Sequence, residues 1–188
     1  VPQLQIAEPA DMLIDITMPF FPEMPVWPGD PLPQIQAVSA IAAGSPAAVS
    51  RLELSHCGTH VDAPSHLFPG GVTVEQLALD NLVGQAVVID CGEQTSVGLA
   101  QLKDELKGAR RVLLRSSRVF SHNGLYNATL MLEPAAAAWL VAQSVVLVGT
   151  SAPSLDAWDA ADLPVHRILL SGGVVIVESL NLAAVEAG

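Results

Sequence analysis

Ser55-His56-Cys57-Gly58-Thr59-His60-Val61-Asp62-Ala63-Pro64-Ser65-His66 carries three of the chain's five histidines together with an aspartate. Read as an extended strand, in which successive side chains alternate between faces, positions 56, 60, 62 and 66 share one parity and point the same way. Gly58 lies on that face and leaves it open, whereas Cys57, Thr59, Val61 and Ala63 are small or apolar and suit packing against a core. The i, i+4 spacing of His56 and His60 also occurs in helical zinc sites. Gly58, the β-branched Thr59 and Val61, and Pro64 all oppose a helix here. Pro64 ends the strand and puts His66 on the loop beyond it. Imidazole together with carboxylate suits Zn²⁺, Mn²⁺ or Fe²⁺, and the lack of a cysteine cluster argues against a structural thiolate site. The same residues also read as hydrogen-bonded core histidines beside a loop aspartate, but several titratable groups converging in one stretch favour a site.

Outward from this stretch, apolar runs rich in Val, Ile and Leu predict strands at Met12–Ile16, Val49–His56, Gln85–Asp90, Arg111–Arg115, Ser144–Val148 and Val174–Glu178. Most are near-continuous runs of the kind buried on both faces. Helices are expected at Thr73–Leu77, where Thr73 and Gln76 can form a capping box, at Val97–Leu106, and at Pro134–Ala142, whose proline suits a first turn. The pattern is mixed α/β with few helices. No internal repeat or low-complexity linker divides it, so a single domain over residues 1–188 is expected.

Composition narrows the function classes. With 51% hydrophobic residues and a mean hydropathy of +0.45 the chain is not intrinsically disordered. Such apolar richness points to buried subunit contacts, a homodimer or a higher homo-oligomer. A net charge of −11 with eight Lys plus Arg excludes nucleic acid and anionic membrane surfaces as expected partners. No apolar run reaches the roughly 18 residues of a membrane span, and no basic-then-apolar leader opens the chain. The expected location is the cytoplasm. Cys57 and Cys91 are unpatterned and read as reduced thiols rather than a disulfide framework. The chain starts at Val1 rather than Met, which leaves its natural beginning unread.

A second chemical cluster lies downstream, at His166 and Glu178. Glu178 ends the run Val174-Val175-Ile176-Val177-Glu178, where a lone buried carboxylate would need a partner or a metal. Gly172-Gly173 can stop a short helix carrying His166 and turn the chain into that strand. A strand-end carboxylate in water and a helix-capping histidine remain the alternative. Six prolines between Pro19 and Pro33 stiffen a segment that presents Phe20, Phe21 and Trp27, either as a wall for an aromatic substrate or as a cover for the core or an interface. Cys57 could instead serve as a thiolate nucleophile, but alternation puts it opposite His56 and His60. His122, in Ser121-His122-Asn123-Gly124, reads as a turn residue. Ser154 and Asp156 lack the nucleophile-elbow pattern of a serine hydrolase.

The pattern His56-x-Gly58-Thr59-His60-x-Asp62-x-Pro64-x-His66 resembles the signature of the cyclase-family metal-dependent hydrolases, which include the bacterial kynurenine formamidases. The likeness extends to Pro25-Val26-Trp27-Pro28-Gly29-Asp30, to Arg111-Val112-Leu113-Leu114-Arg115, and to Leu163-Pro164-Val165-His166-Arg167 through Glu178-Ser179-Leu180. It implies the swivelling β/β/α fold. It also implies one divalent ion on His56, His60 and Asp62 and a second on Asp62, His66, His166 and Glu178, with Zn or Mn as the metal. Such a site hydrolyses an amide, and His66 is the candidate proton shuttle, in competition with its role as a ligand. Phe20 and Trp27 would meet the aromatic substrate. The implied reaction is N-formylkynurenine to kynurenine and formate in tryptophan catabolism. The alternatives are a cyclic amide, as in the isatin hydrolases, or a metal-bound module without turnover. Two departures stand out: Ser151 replaces an acidic loop residue common in the family, and the chain stops soon after Asn181-Leu182, where relatives usually continue into a further strand.

Overall fold

Four parallel strands and one antiparallel edge strand make the sheet that positions everything else. In a computed structural model, which describes residues 13–24, 26–27, 29–54, 56–117 and 130–188, the order of this sheet is β3-β9-β8-β6-β4. Here β3 is His60–Asp62, β4 Val87–Gly92, β6 Arg111–Ser116, β8 Leu147–Thr150 and β9 Val175–Glu178. Parallel neighbours need long crossovers, and these carry the helices α2 (Leu99–Glu105), α3 (Pro134–Ala142) and α4 (Pro164–Ser171). A short α1 (Leu79–Leu82) precedes β4. The pair β5 (Ser96–Val97) and β7 (Met131–Leu132) and the antiparallel hairpin β1 (Gln34–Ser39) with β2 (Val49–Glu53) complete the strands. The mixed α/β class with few helices is as the sequence predicts.

The central strands are apolar on both faces because helices cover them. Ile89, Leu114, Val148 and Ile176 from the sheet are fully buried, and Leu102, Leu140 and Leu169 from α2, α3 and α4 join them in one hydrophobic cluster. Each such side chain removed from water stabilises the fold by roughly 1.5–3 kcal/mol. Pro134 and Pro164 occupy the first turns of α3 and α4, where a missing N–H is harmless. Gly172 and Gly173 end α4 before β9, and Gly173 takes the left-handed conformation at φ +76° that glycine tolerates best.

The structure corrects several local expectations. Residues 13–16 form no strand, and Met12 lies outside the described residues. The predicted Val49–His56 strand stops at Glu53 and is exposed throughout rather than buried, because it pairs only with β1 in a hairpin off the main sheet. Thr73–Leu77 is a single 3-10 turn over Val74–Gln76, held by the Thr73 N–H donating to Gln76 Oε1 at 3.1 Å. The strand expected at Ser144–Val148 is Leu147–Thr150. The motif itself is not one extended strand. Gly58 turns it at φ +67°, only His60–Asp62 is strand, and Pro64–His66 form a 3-10 turn. His122 lies outside the described residues.

Candidate metal centre

Strand pairing creates the centre. His60 on β3 stands directly opposite Glu178 on β9, and Asp62 follows two residues along on the same face. Glu178 lies at the carboxyl end of a parallel strand, and β8 ends beside it in the loop that supplies Ser154 and Asp156, the usual end of such sheets for a site. His56 arrives from before the Gly58 turn rather than by strand alternation. At φ +67° the turn favours glycine, and a Cβ on residue 58 would also meet the movable Met24 methyl at 2.9 Å. The His60 Nδ1 lies 2.8 Å from the Gly58 carbonyl. A carbonyl only accepts, so Nδ1 donates to it and Nε2 is the nitrogen turned toward the carboxylates.

These side chains converge. Donor atoms of His56, His60, Asp62 and Glu178 all lie within 4.8 Å of one another. The Nε2 atoms of His56 and His60 are 3.7 and 3.6 Å from Asp62 Oδ1, and His60 Nε2 is 3.7 Å from Glu178 Oε2. His166 Nε2 faces the same carboxylates, 3.0 Å from Glu178 Oε1 and 3.3 Å from Asp62 Oδ2. Glu178 thus faces His60 through one oxygen and His166 through the other. Among the described residues, four buried side-chain atoms have no hydrogen-bond partner: Nε2 of His56 and of His60, Oδ2 of Asp62, and Oε2 of Glu178. Leaving such atoms unpaired costs about 1–3 kcal/mol each, and an N/O donor set of this kind fits a divalent transition ion.

Carboxylates and imidazoles perturb one another strongly within the centre. Burial alone would raise the Asp62 carboxyl, yet the facing imidazoles of His166, His56 and His60 hold it far below the carboxylate range. Burial opposes charge on His166 too, but Asp156, Asp62 and Glu178 together push its pKa up to about 12. His56 is raised, chiefly by Asp62. His66 behaves oppositely: burial lowers its pKa and outweighs the pull of Asp62, so its ring is neutral near pH 7.

Resemblance puts the loop of Ser154 and Asp156 near the site, but no sequence pattern assigns Asp156 its role. It is 2% exposed, and its oxygens accept the backbone N–H groups of Val165 and His166 at 2.9 and 3.0 Å, which caps α4 from eight residues upstream of its first residue. The same carboxylate lies 2.7 Å from His166 Nδ1 and so turns Nε2 toward Asp62 and Glu178. No local spacing announces a cap that reaches back from so far along the chain. Ser151, flagged as a departure, instead accepts the Ser116 N–H at 2.8 Å.

A pocket of about 200 Å³ opens onto the centre, lined by Trp27, Asp30, His56, His66, Ser154, Leu163 and His166. Trp27 is where the sequence placed an aromatic wall, while Phe20, 38% exposed, is not among the lining residues. Asp30 reaches to 3.9 Å from His56 Nδ1. The Ser154 Oγ accepts the Asp156 N–H at 3.2 Å, a loop-shaping contact. Thr59 ties the motif down: its hydroxyl donates to the Ser179 carbonyl at 2.6 Å and accepts the Met18 N–H at 2.8 Å.

Comparison with known proteins places this geometry. The family profile described as "Putative cyclase" matches residues 14–157. A kynurenine formamidase of Erythrobacter litoralis is 33% identical over 176 residues, 93% of this chain and 81% of that protein. One from Salinibacter ruber is 37% identical over 187 residues, 94% of this chain and 85% of the other. A solved structure titled as a potential metal-dependent hydrolase with cyclase activity superposes with a TM-score of 0.78 at 28% identity, covering 93% and 84% of the two chains. An isatin hydrolase bound to the product analogue thioisatinate gives 0.79 at 22% identity, covering 93% and 82%, a likeness of fold alone.

Proposed function

The chain belongs to the cyclase family of hydrolytic enzymes, and from that premise we propose that it hydrolyses N-formylkynurenine to kynurenine and formate in tryptophan breakdown. The carrying observation is the set of four buried, unpartnered donor atoms on His56, His60, Asp62 and Glu178, set beside a pocket that Trp27 lines. A shared divalent ion accounts for all four at once. Zn²⁺ or Mn²⁺ suits these donors; His166 stands against both carboxylates, and a second ion would draw on Asp62, His66, His166 and Glu178. When bound, the ion polarises a carbonyl and makes water nucleophilic near neutral pH.

The chain's own groups supply the rest. Trp27 offers a flat apolar face to the substrate's aromatic ring. The neutral His66 ring takes a proton from the attacking water and delivers it to the leaving nitrogen as the carbon–nitrogen bond breaks. The oxygen of that water stays on the formyl carbon, so formate and the free aromatic amine leave. Asp156 holds His166 in the orientation that faces the carboxylates.

We read the protein as one domain over residues 1–188 and as a homo-oligomer, supported by one contiguous core and by its exposed aliphatic side chains. The free cysteines Cys57 and Cys91 support a cytoplasmic location, and no helix among the described residues is long and apolar enough to cross a membrane. Metal analysis by mass spectrometry alongside hydrolysis of N-formylkynurenine and isatin tests the reading. Formate release by metal-loaded protein is expected. Cleavage of isatin alone would shift the substrate to a cyclic amide, and bound metal with neither substrate cleaved would mean a module without turnover.

A further inference from the structure

Among the described residues, four other than glycine take a positive φ: Lys107, Ser144, Leu163 and Ser179. Lys107 follows the end of α2 and Ser144 the end of α3, where a left-handed residue is a common helix stop. Ser179 follows β9, and its carbonyl accepts the Thr59 hydroxyl. Leu163 has no such reason. It precedes α4 at φ +43° and ψ +59°, in the capping position whose usual conformation is extended. The Pro164 ring pushes the residue before it toward extended geometry as well, and a bulky side chain is a poor occupant of the left-handed region.

Core packing does not account for this conformation. Leu163 is half-buried and stands outside the hydrophobic cluster that takes in Val165, Leu169 and Leu170 of the helix it precedes. It lines the pocket over the metal centre instead. Of the residues around that pocket only Leu163 and Trp27 are apolar; the rest are an aspartate, three histidines and a serine. Residues held in sparsely populated conformations persist where their surroundings over-determine them, and they gather at ligand sites.

On the aromatic-amide reading given above, we propose that Leu163 is a specificity-determining residue: its strained backbone holds an isobutyl group in the pocket, where Leu163 and Trp27 together grip the aryl ring of the substrate. Recognition of a flat apolar group needs apolar lining, and these two residues supply it. Selection among amides then falls on the ring. The helix does not depend on this side chain. The Leu163 carbonyl accepts the Arg167 N–H at 3.0 Å and its own N–H donates to the Ala160 carbonyl at 3.3 Å, contacts that any residue at this position can make.

Two truncations separate the backbone from the side chain. Leu163→Ala removes most of the side chain and keeps the strain, whereas Leu163→Gly removes both. The Gly variant is expected to melt about 2–4 °C above the Ala variant. At an ordinary φ the order is reversed, because glycine's freer unfolded chain costs stability. Both variants are expected to bind 2-aminoacetophenone, an aryl ketone bearing an amine but no amide to hydrolyse, about 10-fold more weakly than the metal-loaded wild type, with metal content unchanged. With N-formylkynurenine, KM rises in both while kcat changes little. An Ala variant more stable than the Gly variant overturns the proposal, as does unaltered affinity in both or a wild type that does not bind the probe. Loss of metal in either variant, or a fall in kcat at unchanged KM, overturns it too, since residue 163 would then act through His166. The probe is not cleaved, so a wild type that binds it through Leu163 yet leaves N-formylkynurenine intact counts against the substrate alone.

Discussion

Asp156 Oδ2 lies 2.7 Å from His166 Nδ1 while the same carboxylate receives the backbone N–H groups of Val165 and His166. One buried side chain therefore starts a helix and aims an imidazole. Asp156→Asn keeps an acceptor for the helix but puts an N–H donor in competition with the ring. Metal affinity or hydrolysis is expected to fall about 10–100-fold with near-native circular dichroism. Unchanged affinity and rate would confine Asp156 to capping.

Asp62 shares its two oxygens among three histidines. Asp62→Ala is expected to abolish stoichiometric metal and to reduce the rate in parallel, read by elemental analysis of the purified variant. Full metal content and full activity would remove Asp62 from the centre.

His66 tests the division between ligand and proton carrier. Its lowered pKa keeps it neutral at pH 7, able to accept a proton. His66→Gln is expected to lower kcat by about 10²–10⁴-fold while at least one ion per chain remains. Loss of all metal would make His66 a ligand first.

Metal uptake should release protons. With no ion present a pKa pushed up to about 12 keeps a proton on the His166 ring through neutral pH, His56 is raised in the same direction, and coordination requires protons to leave. Affinity is therefore expected to rise with pH. Calorimetric titration of chelator-treated protein with Zn²⁺, in buffers of different ionisation enthalpy, should report net proton release near pH 7; zero release would contradict the assigned donors.

Gly58 couples folding to the site. Its φ of +67° costs an L-residue about 1–2 kcal/mol, and its carbonyl fixes the His60 proton. Gly58→Ala is expected to lower Tm and weaken metal binding together. A variant with unchanged Tm and metal content would show that the turn tolerates a side chain.

The side chains that the fold gathers were legible by type: His56, His60, Asp62, His166 and Glu178 converge, and His66 lines the pocket beside them. Their route together was less legible. Strand alternation accounts for His60 and Asp62, but His56 arrives through a left-handed turn and His66 on a 3-10 turn, conformations that Gly58 and Pro64 permit without declaring. The central strands and α3 could be read from apolar runs and Pro134. The hairpin strand β1 could not, since Gln34, Gln36 and Ser39 dilute its apolar signal and the strand lies almost wholly exposed. The role of Asp156 could not be read because its partners are near only once α4 has folded.

The account stands on an ion shared by His56, His60, Asp62 and Glu178. Anomalous diffraction at the Zn and Mn absorption edges from crystals grown without chelator tests this directly. The expected result is a peak within coordination distance of the Nε2 atoms of His56 and His60 and of the Asp62 and Glu178 carboxylates. Well-ordered side chains around a site without any anomalous peak, in protein that hydrolyses N-formylkynurenine, would contradict it.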